Sequence, residues 1–176
     1  MDESRFQEDL LHKRWIYLSG SINANEAARM GKLIVWLNAR SEAEITLYIS
    51  SSGGEVDAGL DIYDIIKDSR APVKAKVYLM ANSSAVIVLQ ACRPRIALPD
   101  CQILLHRMKV KEDVEAWMED PTIMEKHKRT VQRVYEILAK ETGNAVETIR
   151  QKCKENMPMT AEEALKFGLV DEVLSW

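Results

Sequence analysis

The sequence predicts a mixed α/β domain built on a mainly parallel sheet with flanking helices and repeated strand–turn–helix units. Short apolar runs rich in β-branched and aromatic residues alternate along the chain with longer segments of helical periodicity. In such an order, right-handed crossovers lay the helices on the faces of the sheet. The length of 176 residues suits one compact domain. We therefore expect a single domain over residues 1–176, with a short lead-in over residues 1–14.

Three strand–turn–helix units are predicted in the first half of the chain. In each, an apolar strand leads into small polar residues and then into apolar residues at three- and four-residue spacing. Either Asn23 or Asn25 can cap the first helix. The strands are expected at 15–20, 45–50 and 73–80, and the helices at 25–39, 56–69 and 82–92.

The second half is predicted to add a fourth strand and three helices. The turn Thr142–Asn144 supplies a C-terminal glycine to a long helix, and Thr160 with Glu163 forms a capping box before the last one. Gly168 then precedes a final apolar strand. The fourth strand is expected at 101–106, and the helices at 121–140, at 145–154 and after Thr160.

Composition and charge limit the classes of function. A net charge of −3 and a pI near 5.7 provide no broad attraction for nucleic acid or an anionic membrane, so we expect protein or peptide partners. Cys92, Cys101 and Cys153 form no CxxC pair, which suggests neither a metal site nor a disulfide framework, and no cofactor is expected. The charged N-terminus lacks the apolar core of a signal peptide, and no apolar stretch is long enough to span a membrane. These features predict a cytoplasmic protein.

Ser83 is a candidate nucleophile. It lies between an apolar strand and an apolar helical run, in the small-residue sequence Ala81–Ala85. Active sites in parallel sheets form where strands end, and the exposed amides of a helix N-terminus can stabilise an oxyanion. Taken by itself, however, a serine at a helix start is most often an N-cap.

His106 is a candidate general base because it ends the fourth apolar strand and is followed by polar residues. Two strand ends at one sheet edge can bring a base within hydrogen-bond reach of a nucleophile. The alternative is a surface histidine or a core histidine with satisfied hydrogen bonds. His12 and His127 lie in charged, helix-like surroundings, and for them we adopt that alternative.

The turn Ser52-Gly53-Gly54 provides a backbone that can approach a substrate closely and direct amides at a carbonyl oxygen. Paired glycines after a strand also occur simply as turns. This turn therefore discriminates poorly by itself.

Four segments taken together resemble the proteolytic subunit of the Clp protease family in order and spacing. They are YISSSGGEVDAGLDIYD, ANSSAVIVLQAC, ALPDCQILLHR and MTAEEALKFGLVDEV, and they cover almost the whole chain. The resemblance implies a serine peptidase with a ClpP/crotonase-like fold that assembles into rings and cuts peptides and unfolded proteins. It implies that Ser83 is the nucleophile, His106 the general base, and the amides of Gly54 and Ser84 the oxyanion hole. Ser83 is preferred to Ser84 because Ala81 and Ala85 flank it symmetrically.

The chain departs from the family pattern in four places. Ser52 replaces the usual proline of the glycine turn, and Asn156 occupies the position of the usual triad aspartate. An amide can hold the imidazole tautomer but cannot stabilise imidazolium by charge, and Glu155, the nearest carboxylate, could substitute only if its loop shifts. The N-terminal segment is short, which puts docking of a Clp-type ATPase in doubt. Residues 107–120 contain no glycine where the family has a glycine-rich stretch.

Two alternative functions remain open at this stage. Asn156 raises the possibility of an inactive or weakened subunit that acts as a structural component of a ring. The third function considered is an acyl-CoA hydratase or isomerase of the wider crotonase-like superfamily, which shares related strand–turn–helix units but lacks the pairing of Ser83 with His106.

Overall fold

The computed structural model describes residues 3–107 and 121–175 and shows the predicted mixed α/β fold, with one sheet and helices packed on it. Seven helices and seven strands lie within these ranges. In chain order they are α1 (Glu3–His12), β1 (Trp15–Ile22), α2 (Ala24–Arg40), β2 (Ile45–Gly54), α3 (Val56–Lys67), β3 (Val73–Asn82), α4 (Ser84–Ala91), β4 (Arg95–Ala97), β5 (Gln102–Leu104), α5 (Pro121–Thr142), α6 (Val146–Glu155), β6 (Met159–Thr160), α7 (Ala161–Phe167) and β7 (Glu172–Val173).

The sheet is mainly parallel, with the strand order β1-β2-β3-β4-β7. β3 has different neighbours along its length: its first half pairs with β4, and its second half, Met80–Asn82, pairs with β5. β6 runs antiparallel to β5. This division of β3 brings the end of β5 next to the end of β3, where the candidate site lies.

The core lies between the helices and one face of the sheet. Alternate residues of β1, β2 and β3 are buried, and their neighbours on the opposite face are mostly half-buried or exposed. α4 is buried at every position from Ser84 to Ala91, so it forms the central helix of the core. A helix that is apolar all round is stable only when surrounded by other elements. The turn that carries Ser83 is therefore attached to the most deeply buried helix of the described chain.

Most element boundaries agree with the sequence prediction, and the capping residues do so in detail. Asn23 rather than Asn25 caps α2, accepting the Glu26 N–H at 3.0 Å. The capping box of Thr160 with Glu163 is present at α7. Capping is a local interaction, which is why it can be predicted from neighbouring residues.

Four predictions about strands were wrong or incomplete. The strand expected at 101–106 forms only at Gln102–Leu104, so His106 lies beyond its end and does not end it. β2 does not end at Ser50 but continues to Gly54, because its last residues pair with the end of β1. β4 and β6 were not predicted, since strands of three and two residues are too short to show a period. Their pairing is decided by neighbouring strands rather than by local sequence. The glycine-free segment that follows His106 falls almost wholly at 108–120, outside the described residues.

A cluster of charged side chains links the segment after α7 to strand β4 of the sheet. Asp171 accepts the backbone N–H of Arg95 at 2.7 Å, and its carboxylate binds the guanidinium groups of Arg95 and Arg93, each at 2.6 Å. Arg95 is only 3% exposed, so its charge depends on this partner. Glu141 joins the cluster through Arg93 at 3.1 Å and Lys67 at 3.0 Å.

Replacing Asp171 by asparagine is expected to lower the free energy of unfolding at neutral pH by about 3 kcal/mol, because Arg95 would remain buried without its counter-ion. Burial by itself would raise the pKa of the Asp171 carboxyl, but the hydrogen bonds and charges of Arg95 and Arg93 lower it below its ordinary value. The resulting stability is complete above the unfolded pKa of about 3.9 and is lost as the pH falls through the folded pKa. Urea unfolding at fixed protein concentration should show the gap between the two proteins narrowing below about pH 4.

Glu42→Gln is the matched control for this experiment. Glu42 faces Arg70 at 3.9 Å, and both side chains are largely exposed. Loss of such an exposed pair should lower the free energy of unfolding by less than about 1 kcal/mol. Equal losses in the two variants would contradict a supporting role for the pair that Asp171 forms with the buried Arg95.

Candidate active site

Ser83 forms the sharp junction between β3 and α4. Its backbone has φ 56° and ψ −124°, a conformation that residues other than glycine rarely adopt. The Ser83 N–H donates to the Leu104 carbonyl oxygen at 2.9 Å, and the Ser83 carbonyl accepts the Val86 N–H at 3.0 Å. These bonds hold a turn whose strain is on the order of 1–3 kcal/mol. Such a strained strand-to-helix turn is typical of serine nucleophiles.

The hydroxyl of Ser83 is not used by the helix that follows. Ser83 is the N-cap residue of α4 by position, but its side chain makes no capping hydrogen bond. A serine retained for capping would accept the N–H of the second or third helical residue. The half-buried side chain lines a cleft instead, which leaves its oxygen available for chemistry.

Gly53 packs directly against the Ser83 turn. Its φ is 84°, and a Cβ placed on it would lie 2.4 Å from the Asn82 carbonyl oxygen and 2.7 Å from the Ser83 Cβ. Only glycine fits at such a distance. The hydroxyl of Ser51 accepts the Gly53 N–H at 3.0 Å and donates to the Gly20 carbonyl at 2.6 Å. This buried serine, which sequence analysis did not select, holds the glycine turn against the neighbouring strand.

The amides of Gly54 and Ser84 are the predicted oxyanion donors. The Gly53 N–H is already bonded to the Ser51 hydroxyl. Gly54, the other glycine of the turn, lines the cleft together with Ser83. Ser84 is the first residue of α4, so its N–H has no acceptor within the helix. Its nitrogen would lie 3.0 Å from a Cβ on Gly53, which places this amide against the glycine turn. The oxyanion role of both amides stays a prediction.

His106 follows β5 and is half-buried. Asn82, the residue before Ser83, pairs with Leu104 of β5, and His106 lies two residues after Leu104. Its Nδ1 lies 2.7 Å from the Arg107 carbonyl oxygen. A carbonyl only accepts, so Nδ1 is the donor, and in the neutral ring Nε2 then keeps its lone pair. That tautomer is the one a general base acting through Nε2 requires.

One cleft of about 800 Å³ joins the predicted nucleophile and base. Ser83 and His106 line it together with Gly54 and the start of α3 at Val56. The structure therefore brings three of the five predicted site residues to one surface. Ser84 lies directly behind Ser83 with its side chain buried, and Asn156 does not line the cleft.

Asn156 ends α6 in the left-handed conformation, with φ 51° and ψ 38°, and its side chain is exposed. β6 pairs Met159 with Ile103 of β5 in antiparallel register. His106 lies three residues after Ile103 and Asn156 three residues before Met159, so both lie outside the paired residues of β5 and β6. In this structure Nδ1 of His106 donates to the Arg107 carbonyl. The triad role of Asn156 stays a prediction, and the backbone shows it capping a helix end.

Two residues that sequence analysis set aside lie at the site. His127, interpreted from sequence as a surface histidine or a core histidine with satisfied hydrogen bonds, is half-buried and lines the same cleft. It falls four residues after Ile123 and four before Val131, on the apolar stripe of α5, and that spacing could have identified it. Cys153 of α6 lines a second, smaller pocket next to Ser83. Glu155, in contrast, pairs with Lys152 at 2.7 Å.

Replacing Asn156 by aspartate is expected to raise the rate of acylation near neutral pH by roughly tenfold or more, because a carboxylate facing His106 stabilises the imidazolium formed when Ser83 loses its proton. Since the carboxylate favours the protonated ring, the acidic limb of the kcat/KM profile should move to higher pH. Aspartate tolerates the left-handed conformation, so the backbone should not change. The pH dependence of kcat/KM measures both effects.

Asn156→Ala is the control that removes the amide without adding charge, and it should not shift the acidic limb upward. If Asn156→Asp leaves both the rate and the limb unchanged, position 156 does not contact His106. The third member of the triad would then lie elsewhere or be absent.

Comparison with known proteins finds relatives in both sequence and fold. The family model of the Clp protease matches residues 2–176. ClpP1 from Listeria monocytogenes is 26% identical with a TM-score of 0.83, and an asparagine-to-aspartate mutant of ClpP1 from that organism is 25% identical with a TM-score of 0.85. Both alignments cover 97% of this chain and 96% of the other.

The catalytic domain of the ClpP protease from Plasmodium falciparum has a TM-score of 0.87 at 25% identity, over 100% of this chain and 92% of that one. Within the described residues, no helix is long and apolar enough to cross a membrane. The family match over nearly the full length, together with the shared fold, shows that this chain belongs to the Clp protease family.

Proposed function

We propose that this chain is a cytoplasmic serine endopeptidase that hydrolyses peptide bonds of unfolded polypeptides through an acyl-enzyme on Ser83. One observation carries the proposal: a strained serine whose hydroxyl caps nothing shares a cleft with a histidine whose Nδ1 donates to a carbonyl, which makes Nε2 the basic nitrogen of the neutral ring. Membership in the Clp protease family supports the same chemistry. A hydratase or isomerase has no use for such a pair.

The reaction proceeds in two stages on these residues. His106 Nε2 takes the proton of Ser83 as its oxygen attacks the peptide carbonyl, and the amides of Gly54 and Ser84 bind the oxyanion. Collapse of this intermediate breaks the C–N bond, and His106 returns the proton to the leaving amine. Water then attacks the acyl-enzyme by the same route, which releases the acid and regenerates Ser83.

The active assembly is proposed to be a homo-oligomeric ring, a heptamer or a stack of two. Membership in the Clp protease family supports this assembly, whereas the apolar stripe of α5 is already buried in the core at Val134, Ile137 and Leu138. A partner ATPase of the Clp type would deliver folded substrates. Without it, small peptides and unfolded chains are the expected substrates.

Labelling with a fluorophosphonate, followed by a fluorogenic-peptide assay and light scattering, tests this function. We expect covalent labelling of one serine per chain, peptide turnover without ATP, and a mass of several subunits. A monomer that neither reacts with the reagent nor cleaves any peptide would contradict the proposal. Degradation of a stably folded protein by the isolated chain would contradict the need for a partner.

A weakened or inactive ring subunit is the second candidate. It is favoured by the hydrogen bond of His106 Nδ1, which goes to the Arg107 carbonyl and not to a carboxylate. An uncharged partner stabilises imidazolium less than a carboxylate does. Assembly without labelling of Ser83 would select this second candidate.

A further inference from the structure

A small pocket, which we call the inner pocket, opens beside the proposed nucleophile. Ser83 and His106 line both this pocket and the larger cleft, so the two cavities meet at the reacting atoms. Any substrate carbonyl attacked by Ser83 Oγ belongs to a residue whose side chain starts at Cβ, two bonds from the attacked carbon. The inner pocket is therefore positioned to receive that side chain.

The inner pocket is narrow. Its free volume is about 20 Å³, which is room for one water molecule or a group of similar size. Its apolar wall comes from four helices and the end of β5, and most of the wall residues are fully buried, so widening it requires packed elements to move. The wall is formed by Val56, Ile87, Leu105, Val134, Leu138 and Cys153.

Cys153 closes the inner pocket from α6. Its side chain is buried, and burial raises the pKa of the thiol to about 11, so the wall carries no thiolate at neutral pH. A methyl group or a hydroxymethyl group fits beside an uncharged thiol. A branched or aromatic side chain would have to displace it together with Val134 and Leu138.

One of the residues that line the inner pocket carries an unsatisfied hydroxyl. Ser84 is 1% exposed, lines the pocket, and its Oγ has no hydrogen-bond partner among the described residues. Buried hydroxyl groups in proteins almost always have a partner. A substrate hydroxyl entering the pocket would supply one, whereas an aliphatic side chain would leave Ser84 unpaired.

We propose that the inner pocket selects the residue on the acyl side of the cleaved bond, and that it takes small residues, serine and alanine, in preference to leucine or phenylalanine. The size limit is set by Cys153 with Val134, and the preference for a hydroxyl is set by Ser84. This specificity rests on the peptidase function proposed above.

Peptide aminocoumarins that differ only at the residue before the leaving group test the size limit. Serine and alanine substrates are expected to exceed the leucine substrate in kcat/KM by about tenfold or more, and the phenylalanine substrate by a wider margin. Inactivation by aminoalkyl phosphonates with a methyl or an isobutyl side chain provides the same comparison without turnover. Equal or better reaction of leucine, or of the isobutyl reagent, overturns the proposal.

Cys153→Ala should enlarge the inner pocket and raise the leucine-to-alanine ratio of kcat/KM by about tenfold. Cys92→Ala is the matched control, because Cys92 is equally buried but does not line the pocket, and the ratio should not change. Val134→Ala should widen the inner pocket on the side of α5. It replaces Cys153→Ala if that variant fails to fold. An unchanged ratio in a folded widened variant overturns the proposed size limit.

Ser84→Ala retains the backbone amide and removes only the hydroxyl. The serine-to-alanine ratio of kcat/KM should fall about tenfold in this variant. Fluorophosphonate labelling separates the two proposals. A labelled protein that prefers leucine retains the peptidase function and rejects the specificity, whereas a protein that neither labels nor reacts with any substrate rejects both.

Discussion

Replacing Ser83 by alanine is expected to reduce peptide hydrolysis at least about 10⁴-fold, while the protein folds and assembles normally. The substitution removes the attacking oxygen, so no acyl-enzyme can form. Because the Ser83 hydroxyl makes no capping bond, its loss should leave α4 in place. Release of aminocoumarin measures the activity, and circular dichroism with light scattering measures folding and assembly.

Ser84→Ala is the matched control for the nucleophile, since it makes the same chemical change one residue later. This variant should still react with a fluorophosphonate, and Ser83→Ala should not. The reverse result would move the nucleophile to Ser84. Full activity in both variants would exclude a serine nucleophile at this turn.

Replacing His106 by alanine is expected to cause a loss of similar size, about 10⁴-fold or more, because Ser83 would have no base to accept its proton. His106 lies in an irregular segment after β5, and its ring bonds only to the neighbouring Arg107 carbonyl within the described chain. The fold should therefore tolerate its removal. The measurement is kcat and KM for one aminocoumarin peptide.

His127→Ala separates the two histidines that line the cleft. We expect His127→Ala to lower kcat/KM by less than about tenfold. The same small loss is expected of His12→Ala, because His12 lies on α1 and does not line the cleft. If the large loss followed His127 instead, the base would have been assigned to the wrong histidine. If neither histidine mattered, the mechanism could not be that of a serine peptidase with a histidine base.

Local sequence determined most of the secondary structure and the identity of the reactive groups. Asn23, Thr160 and Gly168 mark helix ends through interactions within a few residues, so they could be recognised without the fold. Ser83 could be placed at a strand-to-helix junction because the apolar run changes its period there. The four ordered motifs were sufficient to indicate the family.

Only the tertiary structure decided how these groups meet. The division of β3 between β4 and β5 brings His106 to the same cleft as Ser83, whereas Asn156 is exposed at the end of α6 and does not line that cleft. The inner pocket exists because α5 packs against α4 and α6 packs against α5, which brings Val134 and Cys153 into one pocket with Ser83. Strand pairing and helix packing depend on residues far apart in the chain, and a period of two or 3.6 residues contains no information about which distant partner is chosen.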